Sequence, residues 1–173
     1  MDLDGKHVVI TGASRGVGAA LADEFAAKGA RVTLVARSAE ALAQVAERTG
    51  GVALPADLAD PAVVDGLIGR IEADHGPVDV LVNNAGIDLT GAFTDMPMAD
   101  IQRMVQLNAI SVAELTRQVL PGMIARGGGH VVQVSSLAGT GTFPGISVYG
   151  GTKAFVTHMT AGVRLEMKGP PIG

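Results

Sequence analysis

The sequence contains no cysteine. That removes disulfides, thiolate metal ligands and a thiol nucleophile, and it leaves no redox clue to the compartment. Aromatic residues make up only 3% of the chain, so its core must be aliphatic. No apolar run approaches the roughly 20 residues that span a bilayer. The opening Met1-Asp2-Leu3-Asp4-Gly5-Lys6 lacks the basic, apolar and small-residue segments of a secretory leader. A soluble cytoplasmic protein is the simplest expectation. Lysines and arginines are scattered singly within a formal net charge of -4, and without a basic stripe neither a nucleic acid nor an anionic membrane is expected as a partner. His7, His75, His130 and His158 share no metal-ligand spacing, so no metal site is expected.

What the chain has is aliphatic residues and glycine: 47% hydrophobic residues and 24 glycines in 173 residues. Short β-branched runs alternate with helical patterns along its whole length, the mark of repeated βαβ units. The expected fold is α/β, a Rossmann-type doubly wound parallel sheet, in a single domain over residues 1–173. Strands are expected at His7–Thr11, Arg31–Ala36, Val52–Pro55, Val78–Val82 and His130–Val134. Each is too apolar to leave either face in water, so both faces should carry helices. Helices are expected at about Arg15–Lys28, Glu40–Arg48, Pro61–His75 behind an Asp60 cap, Ala99–Ala125 and Val148–Met167. Pro121 should kink or restart the fourth, and Gly169-Pro170-Pro171 should end the fifth. The methionines read as core filler, although Met96 and Met98 fall in an expected loop that could face a substrate.

The first strand runs into Thr11-Gly12-Ala13-Ser14-Arg15-Gly16-Val17-Gly18 and then a helix. In that context Gly12 would allow a tight turn, Gly16 would expose backbone to a pyrophosphate, and Gly18 would let the helix pack closely. The alternative, a turn shaped by glycine for its own sake, remains open for the motif taken alone. The second strand ends in Ala36-Arg37, where a carboxylate would hold the ribose of NAD. Arg37 together with Arg15 could instead clamp a 2′-phosphate, which favours NADP(H) while leaving NAD possible. Both arginines could also be ordinary surface charges. Asn83-Asn84-Ala85-Gly86 follows the fourth strand, at the sheet edge where a doubly wound fold binds its ligand, and its amides could tie loop to cofactor.

Ser135-Ser136 ends the fifth strand. The single tyrosine, Tyr149, follows thirteen residues after Ser136, and Lys153 comes four later. A spacing of four puts phenol and ammonium on one helix face. A neighbouring cation favours the phenolate and makes tyrosine usable as acid and base near neutrality. A chance Tyr and Lys on an amphipathic helix would explain the pair by itself, but not its company.

Taken together these motifs resemble the short-chain dehydrogenase/reductase family, and the match runs along the whole chain. The resemblance implies that Tyr149 is the general acid in carbonyl reduction and the base in alcohol oxidation. Ser136 would bind the substrate oxygen, and Lys153 would hold the nicotinamide ribose and assist Tyr149. Asn108 would position a water in the proton relay, and Asp57 would contact the adenine amino group. Cofactor contacts are implied at Gly12, Ser14, Arg15, Gly16, Val17, Gly18, Arg37, Asp57, Leu58, Asn84, Ala85 and Gly86, besides Tyr149 and Lys153. The substrate would be a small carbonyl or alcohol. A homodimer or tetramer would form through the helices carrying Asn108 and Tyr149.

Two departures stand out. The family continues past the position of Gly173 with further strands and substrate-covering helices, so the chain is expected to be C-terminally truncated relative to the family. Val131-Val132-Gln133-Val134 should then form an unpaired sheet edge. A catalytically silent dinucleotide-binding remnant, or an interaction module, is the alternative to an active enzyme. The second departure is Gly150-Gly151 inside a helix, where each glycine costs about 1 kcal/mol relative to alanine; close approach of the cofactor is the expected reason.

Overall fold

The structure is a computed structural model and describes residues 2–167, 169 and 172–173. Its strands are His7–Thr11 (β1), Arg31–Ala36 (β2), Val52–Pro55 (β3), Val80–Asn83 (β4) and His130–Gln133 (β5). All pairings are parallel, in the order β3-β2-β1-β4-β5. The helices are Gly16–Ala27 (α1), Ala39–Thr49 (α2), Pro61–Val64 (α3), Leu67–His75 (α4), Met98–Val105 (α5), Ser111–Ala125 (α6) and Ser147–Glu166 (α7).

Side chains alternate across a strand, and the core divides accordingly. Val8, Ile10, Val80 and Val82 pack with Ala19 and Ala22 of α1 and Leu42 and Val45 of α2. Val9 and Leu81 face the other way, onto Val64 of α3, Ile68 and Ile71 of α4, and Leu115, Val119 and Met123 of α6. The chain winds outward from β1 to β3, then crosses back to lay β4 on β1's other side. Connections on either side of β1 therefore diverge at its carboxyl end and open a crevice there.

The sequence expected one helix over residues 61–75. The structure breaks it at Gly66, which adopts φ +64 and starts α4. Both sides of the break are served from elsewhere: Gln118 Oε1 accepts the Ile68 N–H at 3.0 Å, and its Nε2 donates to Val64 O at 2.9 Å. Arg70 donates to Val63 O and Asp65 O, each at 2.6 Å. The fourth strand begins at Val80 rather than Val78. The Val78 N–H goes to the Glu72 carboxylate and its carbonyl takes Arg126 Nη2, leaving no ladder bond to make.

The long fourth helix begins at Met98, so Met98 opens a helix instead of lying in a loop. It does not restart at Pro121, which lies within α6 on the exposed side. The interruption falls earlier, as a π-helical turn over Gln106–Ile110. Pro170 and Pro171, expected to stop the last helix, lie outside the described residues.

The edge of β5 differs from expectation in two ways. Ile172 and Gly173 pair alongside its start: the Val131 N–H donates to Gly173 O at 2.9 Å and the Gly173 N–H to Gly129 O at 3.0 Å. Its faces are also unequally covered, because α6 and α7 both lie on the side of Val131 and Gln133. Val132 points the other way and remains 43% exposed.

Candidate active site

Between β1 and α1 the chain turns through Gly12, with φ +67, and Gly16, with φ +56, a region that side-chain-bearing residues avoid. A Cβ on Gly12 would stand 2.9 Å from the Ala85 Cα. On Gly18 it would run into the Gly12 carbonyl oxygen and reach within 2.6 Å of Asn84 Nδ2. Gly18 is thus buried by close packing against the turn and is not among the residues that line the crevice. Around Gly16 nothing lies within 4 Å. Since α1 starts without a side-chain cap, its first N–H groups and the positive end of its dipole remain available to an anion.

The crevice holds a cavity of about 830 Å³. Gly12, Ser14, Arg15, Gly16 and Val17 form one wall, and Arg37, Asp57 and Leu58 follow the ends of β2 and β3. Asn84, Ala85 and Gly86 follow β4. Sequence reading missed other residues of this lining. Val35, Ala36, Ser38 and Ala41 belong to β2 and the start of α2, Ala56 and Ile87 extend the β3 and β4 ends, and Leu107 sits in the π turn. Most of them could have been found by taking every position at the carboxyl end of a strand.

Arg15 and Arg37 are both exposed on the wall. Asp57 accepts the Ala59 N–H at 3.0 Å and Arg103 Nη2 at 3.0 Å. Burial pushes the Asp57 carboxyl up, but the Ala59 N–H, Arg103 and the nearby charge of Arg37 together hold it below its ordinary value. It is therefore ionised at neutral pH.

Of the two asparagines at the end of β4, Asn83 is turned into the core, whereas Asn84 lines the cavity and also ties the loop together. Asn83 is buried and its Nδ2 donates to Thr116 Oγ1 at 3.2 Å. Asn84 Nδ2 donates to Thr11 O at 2.9 Å and Gly12 O at 3.3 Å, pinning the glycine turn to the end of β4. Thr11, which sequence reading passed over, completes the joint: its Oγ1 accepts the N–H groups of Asn84 and Ala85, both at 3.0 Å.

Lys153 lies on α7 and is only 5% exposed. Its Nζ donates to Val134 O at 2.8 Å and stands 5.9 Å from the centre of the Tyr149 ring, within the range of a cation–π attraction. Burial pushes the Lys153 ammonium below the usual lysine value. A Cβ on Gly86 would lie 3.6 Å from that Nζ, so the ammonium sits behind Gly86, which lines the cavity, while Lys153 itself is not among the lining residues. Tyr149 itself is half-buried and outside the cavity lining.

Asn108, fully buried in the π turn, locks onto Ile87: its Oδ1 accepts the Ile87 N–H at 2.9 Å and its Nδ2 donates to Ile87 O at 2.8 Å. The same Nδ2 lies 3.3 Å from Thr152 Oγ1, which donates to Tyr149 O at 2.7 Å. The Asn108 side chain is thus engaged with protein on both of its ends, and Thr152, another residue sequence reading missed, joins it to the tyrosine's backbone.

Ser136 caps the 3₁₀ turn Leu137–Gly139, its Oγ accepting the Ala138 N–H at 3.2 Å. That turn packs against α7 at two glycines. A Cβ on Gly150 would lie 2.9 Å from Ala138 O, and one on Gly139 would lie 2.8 Å from Lys153 O. Gly150 is therefore explained by protein packing and not by a cofactor, while Gly151 faces open space. Ser135 fastens the same joint, its Oγ donating to Lys153 O at 3.1 Å. The turn that Ser136 caps is in this way held, through Ala138, against Gly150, the residue that follows Tyr149.

An open glycine turn, an uncapped helix start and two wall arginines fit an elongated anionic ligand. A cavity of this size accommodates a dinucleotide. No group of three or more metal-ligating side chains occurs among the described residues, and no helix among them is long and apolar enough to cross a membrane.

Comparison with known proteins agrees with this geometry. The family model for short chain dehydrogenase matches residues 6–172. A ketoacyl reductase, HetN, of Nostoc sp. is 39% identical over 172 residues, which cover 96% of this chain and 60% of the relative. A very-long-chain 3-oxoacyl-CoA reductase of Anas platyrhynchos is 38% identical, over 95% of this chain and 55% of the relative. The chain thus spans little more than half the length of these two relatives. Among solved structures, a metagenomic short-chain oxidoreductase in complex with NADP superposes with a TM-score of 0.93 at 33% identity, over 99% of this chain and 80% of that one. A short-chain dehydrogenase from Sphingobium yanoikuyae in complex with NADPH gives 0.88 at 35% identity, over 96% and 68%.

Proposed function

The chain belongs to the short-chain dehydrogenase/reductase family, and from that premise we propose that it forms the cofactor-binding and proton-transfer core of an oxidoreductase acting on a ketone or secondary alcohol. The cofactor is NADP(H), which when bound supplies or accepts the hydride at the carbonyl carbon. Arg15 and Arg37 hold its 2′-phosphate, as two cations on the cavity wall with no carboxylate at the end of β2. Two of the solved relatives hold this cofactor.

In reduction, the Tyr149 hydroxyl gives its proton to the substrate oxygen as hydride arrives at carbon; in oxidation the phenolate takes that proton back. Ser136 Oγ donates a hydrogen bond to the same oxygen. The Lys153 ammonium beside the ring favours the phenolate. Asn108 keeps the π turn, and with it Thr152 and the start of α7, in place. The observation that carries this reading is the position of Lys153 Nζ, 5.9 Å from the centre of the Tyr149 ring and close to Gly86, a residue of the cavity lining. Exposed Val105, Ile110, Phe155 and Leu165 on the helical run through α5 and α6 and on α7 support assembly through those helices.

The test is to titrate the chain with NADPH by fluorescence and follow NADPH absorbance with a panel of ketones. Binding with turnover that Tyr149→Phe abolishes, at unchanged cofactor affinity, supports the reading. Binding without turnover selects a silent remnant, and absence of binding removes both.

A further inference from the structure

Arg103 is 46 residues from Asp57 in sequence and on a different element, yet its Nη2 donates to Asp57 Oδ2 at 3.0 Å. Asp57 Oδ1 is fixed independently by the Ala59 N–H. Both oxygens are therefore held from the protein side, which sets the plane of the carboxylate. Asp57 lines the cavity and Arg103 does not. Each side chain of the pair is 38% exposed, and an ion pair so accessible contributes little to stability. Its consequence must be sought in what the carboxylate faces.

An ionised carboxylate accepts about four hydrogen bonds, and two are in use. It repels phosphate, so in this cavity it can serve only the N–H and O–H donors of a ligand. On the wall it follows β3, across the glycine turn from Gly86 after β4, with Arg37 close enough to act on its charge. That is the adenosine half of a dinucleotide lying along the crevice. We propose that Arg103 is a positioning residue for the adenosine half of the cofactor, holding the Asp57 carboxylate in the orientation that receives the donors of the adenine ring. The proposal rests on the dinucleotide reading above, and it requires nothing of Tyr149, Ser136 or Lys153.

The test is a double-mutant cycle read by cofactor binding. NADPH and NADH are titrated by fluorescence into the wild-type chain, Arg103→Gln, Asp57→Asn and the double variant, with AMP and nicotinamide mononucleotide as competing probes. Arg103→Gln should weaken NADPH, NADH and AMP alike, by about fivefold for a misoriented charge-assisted hydrogen bond, while leaving nicotinamide mononucleotide unchanged. It should add nothing once residue 57 is asparagine. Arg103→Lys, which keeps the charge but loses the fork, should fall between wild type and Arg103→Gln, and it carries the test if the glutamine variant does not fold. A loss confined to NADPH, a further loss in the Asp57→Asn background, a loss shared by nicotinamide mononucleotide, or no loss at all would each overturn the proposal. Failure of wild type to bind either dinucleotide would instead remove the reading on which it rests.

Discussion

The Lys153 ammonium donates to the Val134 carbonyl at 2.8 Å, so a buried cation on α7 is tied to the residue that leads out of β5 into Ser135-Ser136. The bond fixes where the charge sits relative to the sheet, and the Tyr149 ring is beside it by virtue of helical spacing alone.

A buried ammonium with one carbonyl partner is poorly compensated for its lost hydration. Lys153→Met should therefore hold or raise the melting temperature of the ligand-free chain at neutral pH while removing turnover. Melting curves decide it: a drop beyond about 2–4 °C, the equivalent of ~1 kcal/mol in a chain of this size, would show that the charge stabilises the fold.

Thr152 stands between Asn108 and the Tyr149 carbonyl. Thr152→Val keeps the shape and deletes that link, so kcat should fall by about fivefold, the worth of one hydrogen bond near 1 kcal/mol, with the KM for cofactor unchanged. Thr152→Ser should recover most of the loss. Equal kcat in the valine and serine variants would show that the hydroxyl does not orient the tyrosine.

Arg37→Asp replaces a cation on the wall with an anion next to Asp57. NADPH should weaken on the order of tenfold or more relative to NADH, given the strength of charge-assisted bonds to phosphate. Direct titration of both cofactors gives the ratio, and an equal effect on the two would remove the phosphate assignment.

His7, at the far end of β1, is buried. Its Nδ1 faces two carbonyl oxygens, Gly76 O at 2.9 Å and Pro77 O at 3.2 Å, so this nitrogen carries the proton and Nε2 accepts from Thr33 Oγ1 at 2.8 Å. Burial pushes its pKa below 6.5 despite those carbonyls. The unfolded chain then takes up a proton that the folded one refuses, so the stability is complete above pH 6.5 and is lost as pH falls below it. The fall in melting temperature between pH 7.5 and 5.5 should be shallower for His7→Gln than for wild type; identical slopes would rule this histidine out as the source.

Much of the molecule was legible in order along the chain. Alternation of β-branched runs with helical patterns identified five strands, and the valines and isoleucine of β1 sort to two faces as a period of two requires. The glycine turn, Arg15, Arg37 and the residues after β4 were located because a parallel sheet delivers its strand ends to one edge, and Asp57 was implied by the family resemblance. The break at Gly66 was not legible, because the groups that make it tolerable come from Gln118, some fifty residues on. Gly150 read as a weak point in a helix until Ala138 was found packed against it. Asn83 and Asn84 have the same chemistry, and only the fold turns Asn83 inward while leaving Asn84 on the cavity wall.

The sequence by itself determined the class of fold, the edge at which a ligand would lie and the side chains able to do chemistry there, because backbone periodicity and helical spacing are local properties. Tertiary structure alone decided which polar groups are already taken, as Asn108 is by Ile87, and which are held for use, as Asp57 is by Arg103. Hydrogen-bond partners and close packing are set by elements that meet only when the chain is folded, and nothing in the spacing of residues along it records them.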